Sequence, residues 1–481
     1  MPVHQHVGRL AGLAARLFYR LEVAGERAPA TGPLLVVANH PNSLLDPALV
    51  TLAVGRSARF LAKATLFPDP KVGWLVRASG AIPVHRRQDG EAPPGGNDDT
   101  FRAAEAALLD GDAIALFPEG ISHARPALAP LKTGVARLAL QTAARHGGAF
   151  PLVPVGITLD DRAIFRSAGL LVVGAPVAWD DLGAEAARAG ERATEPARVH
   201  ELMGRIGRAL AEVTVSFASW EDARLVALAE EVHGASATPA GAARLERHRL
   251  GASLLARLRA DDASPDALAD TLAVRDDVAR LAEDLRRHRR LLGALRLAPA
   301  DLAAPTDVGT AVGWAFRRVH LLLLGALAAA GTALGWVPYR VTGRVAPTMS
   351  GAEEVDVRAT AKVLVGAACF LVWTLLLAAV AGAIAGWWAA LAVLVGVPPL
   401  LVLALVTGEG WRDAWRDARR FLTLRRRASR VAELRARQQE LARRVEAVVA
   451  RLESLPPVRH PGERGDPASF TTVGGSPRSR G

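Results

Sequence analysis

From residue 33 to about residue 175, short apolar runs alternate with stretches of helical periodicity. The runs are PLLVVA (33–38), ARFLAK (58–63), GAIPVH (80–85), AIALF (113–117), FPLVPVGI (150–157) and LLVVG (170–174). Each is brief and aliphatic, and each is bounded by turn residues, which predicts strands. Residues 100–109 and 131–145 carry apolar positions at helical spacing between them. The alternation predicts an α/β domain with a mostly parallel sheet flanked by helices. The polar Gly- and Pro-rich stretch 86–100 is expected to form a mobile loop.

The pattern changes on either side. In residues 1–22, Leu10, Leu13, Leu17 and Leu21 share one face of an amphipathic N-terminal helix, with Arg9, Arg16 and Arg20 along its edge. Such a helix suits a membrane surface or packing on its own domain. Residues 200–300 are Ala, Leu, Arg, Glu and Asp at helical spacing, with Ser264 as expected N-cap and Pro265 at the first helical position. They read as a helical insert or bundle without evident chemistry. Residues 363–407 carry no charge, enough for transmembrane helices over 363–382 and 387–406 turning through AGAIAG at 381–386.

A shorter apolar run, 321–337, is marginal for spanning. Arg317 and Arg318 precede it; Arg340, Arg344, Arg358 and Lys362 follow it, and a dense Arg series begins at Arg412. Positive flanks favour the cytoplasmic side. A re-entrant or interfacial 321–337 with two crossings keeps every basic flank, and the α/β domain, there. Residues 411–455 predict one long Arg-rich helix, either facing anionic lipid or solvated and coiled-coil-like. The expected division is 1–22 N-terminal helix, 23–220 α/β domain, 221–310 helical insert, 311–410 membrane region, 411–455 Arg-rich helix and 456–481 disordered tail.

Composition narrows the function. The chain has 481 residues, 50% of them hydrophobic, and a formal net charge of +11. Nucleic acid would account for the basic balance but not for the long uncharged stretch. The single cysteine, Cys369, excludes a disulfide framework or a cysteine metal site within the chain. The N-terminus lacks the apolar core and cleavage site of a signal peptide, so none is expected. His4, His6, His233, His248 and His288 lack ligand spacing and are expected at the surface; no metal is expected.

The candidate chemistry begins at VVANHPNSLLDPAL (36–49). His40 follows a strand end, the edge where open α/β sheets bind ligands. Asp46, early in the helix expected to start near Ser43, is within reach of the imidazole. A carboxylate on one ring nitrogen fixes the tautomer, so that the other can take a proton from a hydroxyl. Alone, such a pair is more often structural. Further blocks converge on strand ends: GAIPVHR with Gly80 and Arg86, FPEGISH with Phe117, Pro118, Glu119 and Gly120, and VPVGI with Pro154. Arg86 suits bidentate phosphate binding, and Gly120 allows close backbone approach. LKTG (131–134) is a further candidate for the same pocket.

Across roughly residues 15–215 the chain resembles the glycerolipid acyltransferases, which include glycerol-3-phosphate and 1-acylglycerol-3-phosphate acyltransferases. The resemblance rests on NHPNSLLD (39–46), GAIPVHR (80–86), FPEG (117–120) and VPV (153–155), with FLAKATLF (60–67) and VVGAPV (172–177) in support. It implies a membrane-bound enzyme of phospholipid biosynthesis. Such an enzyme moves a fatty acyl group from acyl-CoA or acyl-carrier protein to a glycerol-phosphate hydroxyl, without a cofactor. It implies His40 as base and Asp46 as its orienting partner. Arg86, Glu119, Gly120, Lys63 and Gly80 would form the acceptor and phosphate site, with Asn39, Ser43, Phe117, Pro118 and Pro154 in support. The box holds five residues between His40 and Asp46 rather than the usual four. This HX5D spacing resembles a subgroup acting on glycerol-3-phosphate or dihydroxyacetone phosphate. The acceptor therefore stays open.

Rival readings are weaker. No Gly-x-Ser-x-Gly elbow supports a serine hydrolase through Ser122 and His123, and phosphate-loop or dinucleotide fingerprints are missing. A non-catalytic membrane scaffold that keeps the fold is the remaining alternative.

Overall fold

The computed structural model describes residues 3–70, 72–85, 96–234, 241–259, 265–349 and 358–454. The six apolar runs form strands, and a seventh precedes them. The strands are β1 (Arg20–Gly25), β2 (Leu34–Ala38), β3 (Ala58–Lys63), β4 (Ile82–Val84), β5 (Ala113–Leu116), β6 (Leu152–Leu159) and β7 (Ala168–Val173). They make one sheet in the order β1-β7-β6-β2-β5-β3-β4. Strands β2 to β6 run parallel, whereas β7 is antiparallel to β6 and carries β1 parallel to itself.

Central β2 shows why the runs read as continuously apolar. Leu34, Val36 and Ala38 enter one buried cluster and Leu35 and Val37 the other, as alternating side chains of a strand covered on both faces must. The first cluster takes helices α1 (Val3–Phe18) and α2 (Asp46–Val54); the short α3 (Gly73–Ala78) packs beside α1. The second takes α4 (Gly96–Leu109), α5 (Gly134–His146), α6 (Asp180–Ala189) and α7 (Pro196–Val213).

Three expectations need correction here. The N-terminal helix ends at Phe18 rather than residue 22, because Arg20–Gly25 pairs with β7 along its length; sheet pairing overrides the helical spacing of Leu17 and Leu21. Of the expected loop 86–100, residues 96–100 open α4, where Asp98 and Asp99 complement the positive helix end. Residues 86–95 lie outside the described residues. The histidines are not uniformly at the surface either. His288 is fully buried against Gln438 Oε1 at 3.2 Å, and His248 meets Glu230 Oε2 at 2.6 Å. Burial pushes both imidazoles down.

Beyond the sheet, α8 (Trp220–His233), α9 (Gly241–Arg257) and α10 (Pro265–Ala294) form the helical region, and Ser264 lies outside the described residues. Next come α11 (Val308–Arg317), α12 (Val319–Leu323) and α13 (Gly325–Met349), then α14 (Arg358–Ala385) and α15 (Trp387–Arg426), which turn at Gly386 with φ +82°. The run 321–337 straddles the α12–α13 junction. Helix α13 lies along α14 and α15, with Trp373 Nε1 donating to Leu334 O at 2.8 Å. Among the described residues, α14 and α15 are the two helices long and apolar enough to cross a membrane.

The expected single helix 411–455 is two. Helix α15 continues through Arg426, the backbone leaves helical geometry at Arg427 with φ −122°, and α16 (Ala428–Ser454) follows. Helix α16 buries one face against the helical region and leaves the rest exposed. Leu441 and Val445 pack with Leu228 and Leu285, and Arg444 meets Asp284 at 2.6 Å. The tail from 455 lies outside the described residues.

Candidate active site

The site grows from the end of β2. The side chain of Asn39 pairs with a backbone unit of β6. Its Nδ2 donates to Ile157 O at 3.0 Å and its Oδ1 accepts from Ile157 N at 2.7 Å. This clamp holds the carboxyl end of β2 against its neighbour and fixes where His40 leaves the sheet. The chain then makes a 3₁₀ turn over Ser43–Leu45, and α2 begins at Asp46. Ser43 has φ +51°, a left-handed conformation uncommon outside Gly, Asn and Asp. That turn takes up the five residues separating His40 from Asp46.

His40 Nδ1 and Asp46 Oδ2 are 2.7 Å apart. The Asp46 side chain is fully buried and that of His40 is 14% exposed. Asp46 Oδ2 also accepts from Asn42 N at 2.7 Å, so two donors fix this oxygen. Burial pushes the Asp46 carboxyl up, while the hydrogen bond and charge of His40, Asn42 N–H and Arg162 pull against it. Asp46 Oδ1 is buried without a hydrogen-bond partner among the described residues, which is why desolvation prevails. A carboxylate so poorly solvated holds strongly to the one imidazole N–H it faces.

The block after β5 supports the imidazole from the other side. The Phe117 ring stacks on His40, with centroids 4.1 Å apart and planes 8° from parallel, and Phe60 lies behind it. Phe117→Ala is expected to lower turnover at most about tenfold, the scale of one aromatic contact. Steady-state kcat with an unchanged acceptor KM checks this.

Glu119 is buried and committed. Its Oε1 accepts from His40 N at 3.0 Å; its Oε2 accepts from Ala129 N at 2.6 Å and faces His123 Nε2 at 2.5 Å. His123 N also donates to His40 O at 3.3 Å. Glu119 thus braces the backbone of His40. Gly120 has φ +69°, and a Cβ there would come 2.6 Å from Lys132 Nζ. Gly120→Ala is expected to destabilise the fold by about 1–2 kcal/mol from the left-handed backbone alone, read as a lowered denaturation midpoint.

The sequence candidates do not all meet. Asn39, His40, Ser43, Asp46, Phe117, Pro118, Glu119 and Gly120 converge on one edge. Pro118 O accepts from Lys132 N at 2.7 Å, while Pro154 lies inside β6 beside Val37. Lys63 ends β3 at the carboxyl edge, the same edge as His40. Gly80 precedes β4 and so lies at the opposite, amino edge, where Arg59 Nε donates to its carbonyl at 3.0 Å. Arg86 lies outside the described residues.

Residue by residue, the sequence reading missed a second ring of support. Asn42 Nδ2 donates to Tyr19 Oη at 2.7 Å, and the Tyr19 hydroxyl donates to Arg162 O. Burial pushes that phenol up, so it stays protonated. Ser122 Oγ accepts from Ser43 N at 3.0 Å. Arg162 Nη1 donates to Pro41 O at 2.8 Å and His123 O at 3.0 Å. No motif marks Tyr19 or Arg162, because both act on backbone groups far away in sequence. Among the described residues, no group of His, Cys, Asp and Glu is placed to hold a metal ion.

Residues 20–158 match the protein-family model described as Acyltransferase. An uncharacterized acyltransferase of Schizosaccharomyces pombe is 28% identical over a match covering 40% of this chain and 41% of that protein. The chloroplastic 1-acyl-sn-glycerol-3-phosphate acyltransferase BAT2 of Brassica napus is 28% identical over 32% of this chain and 41% of its own length. Glycerol-3-phosphate O-acyltransferase 2 of Saccharomyces cerevisiae is 31% identical over 28% of this chain and 18% of its own. The chain thus spans well under half the length of these relatives. Through residues 20–158, most of its α/β domain, the chain is similar to the acyltransferase family.

Proposed function

We propose that the protein is a membrane-bound O-acyltransferase that moves a fatty acyl group from acyl-CoA or acyl-carrier protein to a glycerol-phosphate hydroxyl. The acceptor is glycerol-3-phosphate or 1-acylglycerol-3-phosphate. The observation that carries the reading is the 2.7 Å contact from His40 Nδ1 to buried Asp46 at the carboxyl edge of the sheet. With Nδ1–H turned to Asp46, Nε2 is the basic nitrogen.

The chemistry needs no further nucleophile. Nε2 takes the acceptor's hydroxyl proton as the oxygen attacks the thioester carbonyl carbon. The tetrahedral intermediate collapses, the carbon–sulfur bond breaks, and the imidazolium returns its proton to the departing thiolate. Asp46 stabilises the imidazolium between these steps. The thioester is already activated, so the protein's task is to align hydroxyl, imidazole and carbonyl. Arg86 and Lys63 are the cations assigned to the acceptor's phosphate, with Gly120 assigned to the same site; Gly80, at the far edge, would act through β4. Helices α14 and α15 would cross the membrane, leaving the α/β domain on the cytoplasmic side with the Arg-rich flanks.

The test supplies labelled acyl-CoA and labelled acyl-carrier protein, each with a panel of acceptors, to membranes containing the full chain. Labelled lysophosphatidate identifies glycerol-3-phosphate as acceptor, and labelled phosphatidate its acylated product. No acyl transfer from either donor to any acceptor would reject the reading in favour of a scaffold.

A further inference from the structure

The loop between β6 and β7, Asp160–Ser167, touches both the dyad's backbone and the apolar hairpin. Its shape is set internally. Asp161 Oδ1 accepts from Ala163 N at 2.8 Å and Ile164 N at 3.0 Å, and Ser167 Oγ accepts from Asp161 N at 2.9 Å. On one side, the Arg162 guanidinium ties Pro41 O to His123 O. One cation thereby joins the two loops that form the site, one position from His40 on the first and at the Glu119 partner on the second. On the other side the loop grips the hairpin. Lys362 Nζ of α14 donates to Ala163 O at 2.6 Å. Arg166, with φ +65°, forms a two-point pair with Glu409 of α15 at 2.6 and 2.8 Å. The foot of α14 also packs on the 3₁₀ turn before Asp46, and Ala359 is fully buried in the cluster beneath α2.

We infer that this loop is a strap through which the seating of the α14–α15 hairpin sets the geometry of the His40–Asp46 pair, with Arg162 as its positioning residue. Arg162 touches backbone carbonyls rather than reacting atoms. It acts by holding the segment 40–46 against the 117–123 loop. The Arg166–Glu409 pair is little exposed and bidentate, the kind of ion pair that fixes orientation as well as distance. A hairpin held this way is part of the site's scaffold as well as an anchor.

The inference rests on His40 acting as base, and its test separates the two. The full chain in lipid nanodiscs is assayed as wild type, His40→Ala, Arg162→Ala, Arg162→Lys, Glu409→Gln and Arg162→Ala/Glu409→Gln. Arg162→Ala is expected to lower kcat about 100-fold, the scale of an ångström of misalignment, with acceptor KM little changed. Arg162→Lys, able to hold one carbonyl, is expected to recover part of the rate. Glu409→Gln is expected to lower kcat by about tenfold, as loss of a charged hydrogen-bonded pair does. The double variant is expected to be no worse than Arg162→Ala, because both act through one element. Multiplicative losses in the double variant, or an Arg162→Ala enzyme with wild-type kcat, would overturn the strap while leaving the dyad standing. An active His40→Ala would instead remove the reading beneath it.

Discussion

His40→Ala is expected to lower acyl transfer by about a hundred- to ten-thousand-fold, the range of a positioned general base, while the protein stays folded. The folding half follows from where the ring lies. His40 sits at the sheet's edge with its side chain 14% exposed, so truncation opens space toward solvent rather than a cavity in either core cluster. The supports remain in place: Asn39 still clamps β6, and Glu119 still accepts from the backbone N–H at position 40. What is lost is the titratable group that faces Asp46. Near-native circular dichroism and a denaturation midpoint close to wild type, measured beside the initial rate, check both halves.

Asp46→Asn is the second large effect. It is nearly isosteric, yet it faces His40 Nδ1 and Asn42 N with an amide in place of a carboxylate. If the amide oxygen keeps both hydrogen bonds, the imidazolium loses its counter-charge. If the amide nitrogen turns to Nδ1, it holds the tautomer whose proton is on Nε2, and the base is blocked. Either way the rate is expected to fall on the order of a thousandfold or more. Stability is expected to move the other way. Burial pushes the Asp46 carboxyl up, so its charged form is costly in the folded state. A carboxyl raised on folding contributes stability at low pH that is lost as pH rises through its folded value. Asn, neutral throughout, removes that loss. The variant's denaturation midpoint should therefore fall less than wild type's between acid and neutral pH. An activity loss without a stability loss would mark Asp46 as kept for chemistry.

Much of this was legible in the chain because it was written locally. The β2 run is apolar at every position, since both faces are covered, and Asn39-His40-Pro41 then marks its end without ambiguity. The His40 and Phe117 blocks meet because parallel strands present their carboxyl ends at one edge, whereas Pro154 lies inside β6. The first half of β1, residues 20–22, reads as helix because Leu17 and Leu21 have helical spacing, while what decides the matter is a partner strand nearly 150 residues on. Gly80 was grouped with the site by its motif, yet a residue before a parallel strand belongs to the other edge. Glu119 was assigned to an acceptor, whereas its carboxylate is occupied by three donors or partners from its own fold. Tyr19 and Arg162 were silent for a related reason: each bonds backbone or a neutral side chain, and such contacts leave no spacing rule in a sequence. The basic face of α16 likewise finds its acids on α10, a pairing that charge counts alone assign to lipid.

The central claim is that one imidazole, steadied by a buried carboxylate, draws the proton from the acceptor's hydroxyl. Thiol release from a fatty acyl thioester, followed from the moment acceptor is added, tests it most directly when wild type and an equally folded His40→Ala are compared in the same nanodiscs. The account predicts prompt, acceptor-dependent release matched by labelled lipid product in the wild type and only background release in the variant. Equal acceptor-dependent release from both proteins would contradict it.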